Sequence, residues 1–175
     1  SSGGSAAGEH LAVLVHNGGL SKVFRARQLR VTKYAANSGR AMRAGGRARG
    51  RFFNKVGKMS QNLGNEVLTH VLGEGAFRKN FAVGDRELDW FLRRALVEGK
   101  YRIPTGGAAM ERLVAQMRAA GGTTHDIALW TVKRAGRSDL QRLRRALNDD
   151  VLFGRIQYLS GVDELAAYAS RLRVP

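Results

Sequence analysis

The sequence predicts an α+β fold, a mixed sheet flanked by helices, with a basic helical arm ahead of it. Three observations carry this expectation. Helix-period and strand-like segments alternate through the second half of the chain. The hydrophobic fraction is 43% over 175 residues, enough for one ordinary core plus an appendage. The charge is also partitioned: no acidic residue lies between Glu9 and Glu66, whereas positions 22–58 hold twelve Lys and Arg. From residue 61 onward there are 18 basic and 13 acidic residues. The chain therefore divides into a tail (1–20), a basic arm (21–60) and a more balanced body (61–175).

In chain order, residues 1–8 have the Ser/Gly/Ala composition of a flexible linker. The apolar run 11–15 reads as a short strand ending at Gly18-Gly19. Helical stretches are expected at 22–36 and 51–59. Residues 38–50, rich in Gly and Arg, suit a packed element poorly and are read as a phosphate-tracking surface or a solvated linker. Leu63, Val67 and Val71 or Leu72 place a helix over 62–72. Met110, Leu113, Val114 and Met117 repeat at i, i+3, i+4 and i+7, which predicts an amphipathic helix over 108–119. Residues 127–132 read as a strand, and Ser138 as the N-cap of a helix over 139–147. Residues 151–159 look strand-like, and a last helix is expected to about residue 172.

Thirty Lys and Arg against 14 Asp and Glu give a net charge of +16, which calls for a polyanionic partner, nucleic acid first. No run approaches the 18 apolar residues that a membrane span needs. The absence of cysteine excludes disulfides, Cys-ligated zinc and the zinc deaminases. With no initiating Met and no signal-type segment, the chain reads as a fragment of something larger.

The stretch that carries chemistry is residues 86–102, Arg-Glu-Leu-Asp-Trp-Phe-Leu-Arg-Arg-Ala-Leu-Val-Glu-Gly-Lys-Tyr-Arg. Two structures compete for it. Leu88, Phe91, Leu92, Ala95 and Leu96 share one face of a helix, which local propensity slightly prefers. The alternative is a hairpin of 87–92 and 95–103 turning at Arg93-Arg94, although that turn lacks the Gly or Asn-Gly a two-residue loop favours. On a helix, Asp89 and Glu98 are about 900° of rotation apart and face opposite ways. In the hairpin they stand opposite each other, and Lys100 projects from the same side. Two carboxylates and a lysine so placed suit phosphodiester hydrolysis. The carboxylates offer hard oxygens to Mg²⁺ or Mn²⁺, and the lysine orients water and meets developing charge.

With Asp89 followed by Val97-Glu98-Gly99-Lys100, the chain resembles the PD-(D/E)XK nucleases, in particular the restriction-endonuclease-like toxins at the C-termini of bacterial polymorphic toxins. The resemblance spans roughly 60–160. It implies that Glu66, from the preceding helix, joins Asp89 and Glu98 as a metal ligand, and that Gln116 on the following helix faces and supports the site. Leu14-Val15-His16-Asn17 is similar to the ending of pretoxin or Hint-type domains, where Asn cyclises with help from His and releases the toxin. On that reading the toxin is delivered by a bacterial secretion system, acts in the target-cell cytoplasm on DNA or tRNA, and is countered by an acidic immunity protein. Arg40, Arg43, Arg47, Arg49, Arg51 and Lys55 would hold the nucleic acid by its phosphates.

Two other readings stand beside this one. His70 or His125 could serve a metal-independent toxin RNase as acid or base. A non-enzymatic, ribosome-associated protein could thread its Gly/Arg stretch through RNA. Asp126 with Lys133 is a poorer pair, because Thr131 stands where a Glu is needed. Trp90 and Trp130 read as core.

Overall fold

Helix-forming Ala, Arg, Leu and Lys recur through residues 19–72, where three helices lie: α1 (Gly19–Ala36), α2 (Gly39–Ala44) and α3 (Gly46–Leu72). A meander follows, β1 (Arg78–Val83), β2 (Arg86–Leu92) and β3 (Ala95–Lys100). Then come α4 (Gly107–Gly121), β4 (Asp126–Thr131), α5 (Arg137–Leu147), α6 (Asp150–Arg155), β5 (Ile156–Ser160) and α7 (Gly161–Arg173). This computed structural model describes residues 19–173; the strand expected at 11–15 and the proposed processing pair His16 and Asn17 lie outside them. The fold is α+β, a five-stranded mixed sheet of order β1-β2-β3-β4-β5 with helices on both faces. The first three strands are antiparallel, and β3, β4 and β5 are parallel. Among the described residues no helix is long and apolar enough to cross a membrane.

Alternation along the central strands sorts the core into two layers. Ala95, Val97, Ala128 and Trp130 pack with Leu63, Val67 and Val71 of α3, Phe24 and Val31 of α1, and Leu165, Tyr168 and Leu172 of α7. Leu96, Ile127 and Leu129 face the other way, onto Met110, Leu113 and Met117 of α4 and onto Leu143 and Leu147 of α5. The basic arm thus contributes apolar side chains to the same core as the body.

Several expected boundaries move. Residues 38–50 are largely helical, because Ala, Met and Arg support α2 and only Gly45 (φ 66°) and Gly46 (φ 51°) break the chain. The helices expected at 51–59 and 62–72 are one 27-residue helix, whose buried face runs from Val56 through Ser60 and Leu63 to Val71. Helix α5 begins at Arg137 and not after Ser138; its entry is held by the Gly136 N–H donating to the Asp139 carboxylate at 2.8 Å. The segment 151–159 is only partly a strand. Asp149 caps the short helix α6 by accepting the Leu152 N–H at 2.9 Å, so β5 starts at Ile156.

Residues 86–100 form the hairpin, with Trp90 opposite Val97 and Leu92 opposite Ala95. Its two-residue turn forces Arg93 to φ 55°, a left-handed conformation that disfavours a side chain. The turn is tied down by Arg94, whose Nε lies 3.2 Å from Asp126 and whose carbonyl accepts the Asp126 N–H at 3.0 Å. Arg93→Gly is expected to stabilise the domain by about 1 kcal/mol, read as a higher denaturant midpoint at unchanged slope.

Candidate active site

Asp89 sits where the sheet loses its regular ladder. The pairing of β2 with β3 ends at Trp90–Val97, while β3 continues beside β4 as far as Lys100. The β1–β2 register skips the Asn80–Asp89 position, where Asn80 takes φ 52°. Strict alternation would place Leu88 and Trp90 on one face, yet they join opposite core layers, so β2 is kinked at Asp89. Carboxylates fill the interrupted ladder. The Asp89 N–H donates to Glu98 Oε1 at 3.0 Å, and the Gly99 N–H donates to Asp89 Oδ2 at 2.9 Å. The other Asp89 oxygen accepts from Gln61 Nε2 at 2.9 Å, and Glu98 Oε2 lies 3.0 Å from Lys100 Nζ.

These groups line a cleft of about 460 Å³ that also includes Gly57, Asp85, Arg86, Glu87, Arg112 and Gln116. Glu98 is 2% exposed, and burial pushes its carboxyl up to about 7 against the opposing pull of Lys100. Burial also raises Asp89, countered by the Gly99 N–H and then by Lys100. The part-buried Asp89 and the buried Glu98 have Lys100 as their shared cation, one positive charge for two carboxyl groups. That deficit, together with hard oxygen donors, fits a divalent cation such as Mg²⁺, which takes only one or two protein carboxylates and completes its shell with water and phosphate. Among the described residues there is no group of three or more His, Asp or Glu that could hold a metal ion.

Gln116 stands in the cleft. Its Nε2 donates to the Glu87 carbonyl at 3.0 Å, while its Oε1 is buried without a partner. Glu66 is not in the cleft: it is exposed and paired with Arg27. The physical reason is helical phase. Glu66 follows Gln61 by five residues, about 140° around α3, so it is Gln61 that reaches Asp89. The sequence reading passed over Gln61. The signal was the continuous face Gly57, Gln61, Gly64, Leu68, in which Gly64 and Leu68 are buried.

The remaining candidates are dispersed. His70 lies edge-on to Phe24 and His125 edge-on to Phe91, rings that belong to opposite layers of the core. The sheet stands between the two histidines, and neither lines the cleft. Asp126 pairs with Arg94 and Lys133 is exposed. Arg40 and Arg43 on α2, and Arg47, Arg49, Arg51 and Lys55 on α3, are all exposed. Trp90 and Trp130 are fully buried. Comparison with known protein families, with curated proteins and with solved structures yields no match.

Proposed function

We propose that this domain is a metal-dependent nuclease that hydrolyses phosphodiester bonds, with DNA favoured over tRNA. The observation that carries the reading is the convergence of Asp89, Glu98 and Lys100 in one cleft of a strongly basic chain. Asp89 and Glu98 would hold Mg²⁺ or Mn²⁺, whose charge polarises the scissile phosphoryl group. Lys100 orients the attacking water and donates to the charge that develops on the phosphoryl oxygens. The Gln61 and Gly99 donors fix the Asp89 carboxylate, so its orientation costs nothing at the moment of reaction. Arg86 and Arg112 at the cleft, and the cations of α2 and α3, attract the polyanion. The resemblance to polymorphic toxins extends the proposal to a toxin delivered into a neighbouring bacterium, acting in its cytoplasm and neutralised by an acidic immunity protein.

Incubation with plasmid DNA and with tRNA, in Mg²⁺ and in EDTA, tests the reading. Cleavage of plasmid in Mg²⁺ that stops in EDTA is expected. Cleavage that survives EDTA would overturn the metal mechanism, and no cleavage of either substrate would favour a nucleic-acid-binding protein. Glu66→Gln should cleave within about twofold of the parent, because an exposed ion pair contributes about 0–1 kcal/mol to stability and lies off the cleft.

A further inference from the structure

Phe53 occupies a register on α3 that is buried further along the helix. Phe53, Ser60 and Val67 are seven residues apart, within about 40° of one another around the helix. Ser60 and Val67 are each 1% exposed, whereas Phe53 is 48% exposed. No residue of α3 before Val56 is buried, so this end of the helix overhangs the core and the Phe53 ring is left half exposed, with the Arg49 guanidinium over it. The ring is braced and not loose. Its edge meets Phe52 at 5.6 Å, and Phe52 stacks on Tyr34 at 5.2 Å, with Lys55 Nζ 4.8 Å from the Tyr34 ring.

The surroundings select what covers it. The Arg49 guanidinium lies 5.8 Å from the Phe53 ring centre, and Arg47 and Arg51 are exposed beside it, in a segment without an acidic residue. An apolar partner face would bury these cations at high cost, whereas a strand of phosphates and flat bases satisfies both the charge and the ring. The same face leads to the candidate site. Phe53, Gly57 and Gln61 follow at i, i+4 and i+8, a rise of about 12 Å that ends at the Asp89 carboxylate. Nothing stands within 4 Å of where a Cβ on Gly57 would be, so the path between them is open.

We infer that the N-terminal overhang of α3 captures single-stranded or unpaired nucleic acid, stacking one base on Phe53 and leading the strand across Gly57 into the Asp89–Glu98 cleft. This deepens the nuclease reading by naming the form in which substrate is taken up: a strand with unstacked bases in preference to a closed duplex, as an opened segment of a supercoiled plasmid also offers. Stacking on an aromatic face tolerates any base, so the capture has little sequence preference.

Fluorescence anisotropy of the full chain in EDTA, where no metal-dependent cleavage occurs, tests it. The probes are labelled oligo-dT and oligo-U of about ten nucleotides and a duplex of equal length. The parent protein should bind a single strand more tightly than the duplex, and the two oligonucleotides tell whether DNA or RNA is the strand held. Phe53→Ala should weaken single-strand binding by at least about fivefold and leave duplex binding within about twofold. F53W should restore it, which a merely structural role would not require. Equal loss on all three probes, or no loss on any, would overturn the inference and leave an electrostatic surface or the face of an acidic protein partner. Stacking without cleavage would keep this inference and sink the nuclease; cleavage with F53A binding like the parent would do the reverse.

Discussion

Glu98→Gln should abolish plasmid cleavage and yet, in EDTA at about pH 8, raise the midpoint of thermal unfolding by about 6–12 °C. Both effects follow from one buried carboxyl. Its ordinary value of 4.5 is pushed up to about 7 in the folded domain, chiefly because burial penalises the charge. Below about pH 4.5 the side chain is protonated in both states and costs nothing. As pH rises from there to about 7 the unfolded chain ionises while the folded domain keeps its proton, so stability falls by about 1.4 kcal/mol per unit. Above about 7 the full loss, about 3 kcal/mol, is in place. Gln has the shape of the neutral acid and still offers Oε1 to the Asp89 N–H, so the variant escapes that loss. The metal-free parent should accordingly gain stability on acidification from about pH 7 to 4.5, and the variant should not. Saturating Mg²⁺ should stabilise the parent and not the variant, since only the parent offers the second charged ligand. A variant that is less stable than the parent at every pH would show that the Lys100 pair, and not the unmet charge, governs this site.

Trp90→Ala should cost about 3–5 kcal/mol, at the top of the range for truncating a buried side chain. The indole is fully buried between α3 and the sheet, edge-on to Trp130 at 6.0 Å, with Nε1 donating to Asn65 Oδ1 at 2.6 Å. Two glycines make room for it. A Cβ on Gly64 would stand 2.4 Å from Trp90 Cη2, and one on Gly99 would stand 2.7 Å from Cζ3. The ring therefore fills a slot shaped by both neighbours, and truncation leaves a void that neither can close. Asp89 precedes Trp90 and Gly99 follows Glu98, so the loss should also disorder the cleft. Chemical denaturation followed by far-UV circular dichroism measures the effect without relying on indole fluorescence. A loss below about 1 kcal/mol would mean that α3 can settle onto the sheet without this contact.

Residues 86–98 show why the candidate site was only conditionally legible. A helix there buries Leu88, Phe91, Leu92, Ala95 and Leu96, and local periodicity is satisfied. It would also turn Trp90 and Val97 to the opposite side, about 180–200° from Leu88, leaving two large apolar groups in water. The hairpin buries Leu88, Trp90, Leu92, Leu96 and Val97 across two layers, each at or below 1% exposure. The arithmetic was available in the sequence; that both faces would be covered was not. The Arg93-Arg94 turn speaks against the hairpin locally, and burial on both sides outweighs a left-handed arginine worth about 1–2 kcal/mol. Glu66 and Gln61 show the same limit on α3. Choosing between them requires the phase of the helix against the sheet, which Gly64 sets by admitting Trp90.

By itself the sequence determined the fold class, the alternation of helix and strand from α4 to α5 and the final helix, the basic character of the arm and, given a hairpin, the alignment of Asp89 with Glu98 and Lys100, but not β1 or α6. Side-chain period and charge decide those, and both are written locally. The tertiary structure alone decided that 86–100 is a hairpin, that α3 runs unbroken from Gly46 to Leu72, and that Gln61 faces Asp89 while Glu66 faces Arg27. It also decided that Glu98 is buried to the point of holding its proton near neutrality. Each of these depends on which surface lies opposite. Burial on two faces of a sheet outweighs the preferences of any short segment.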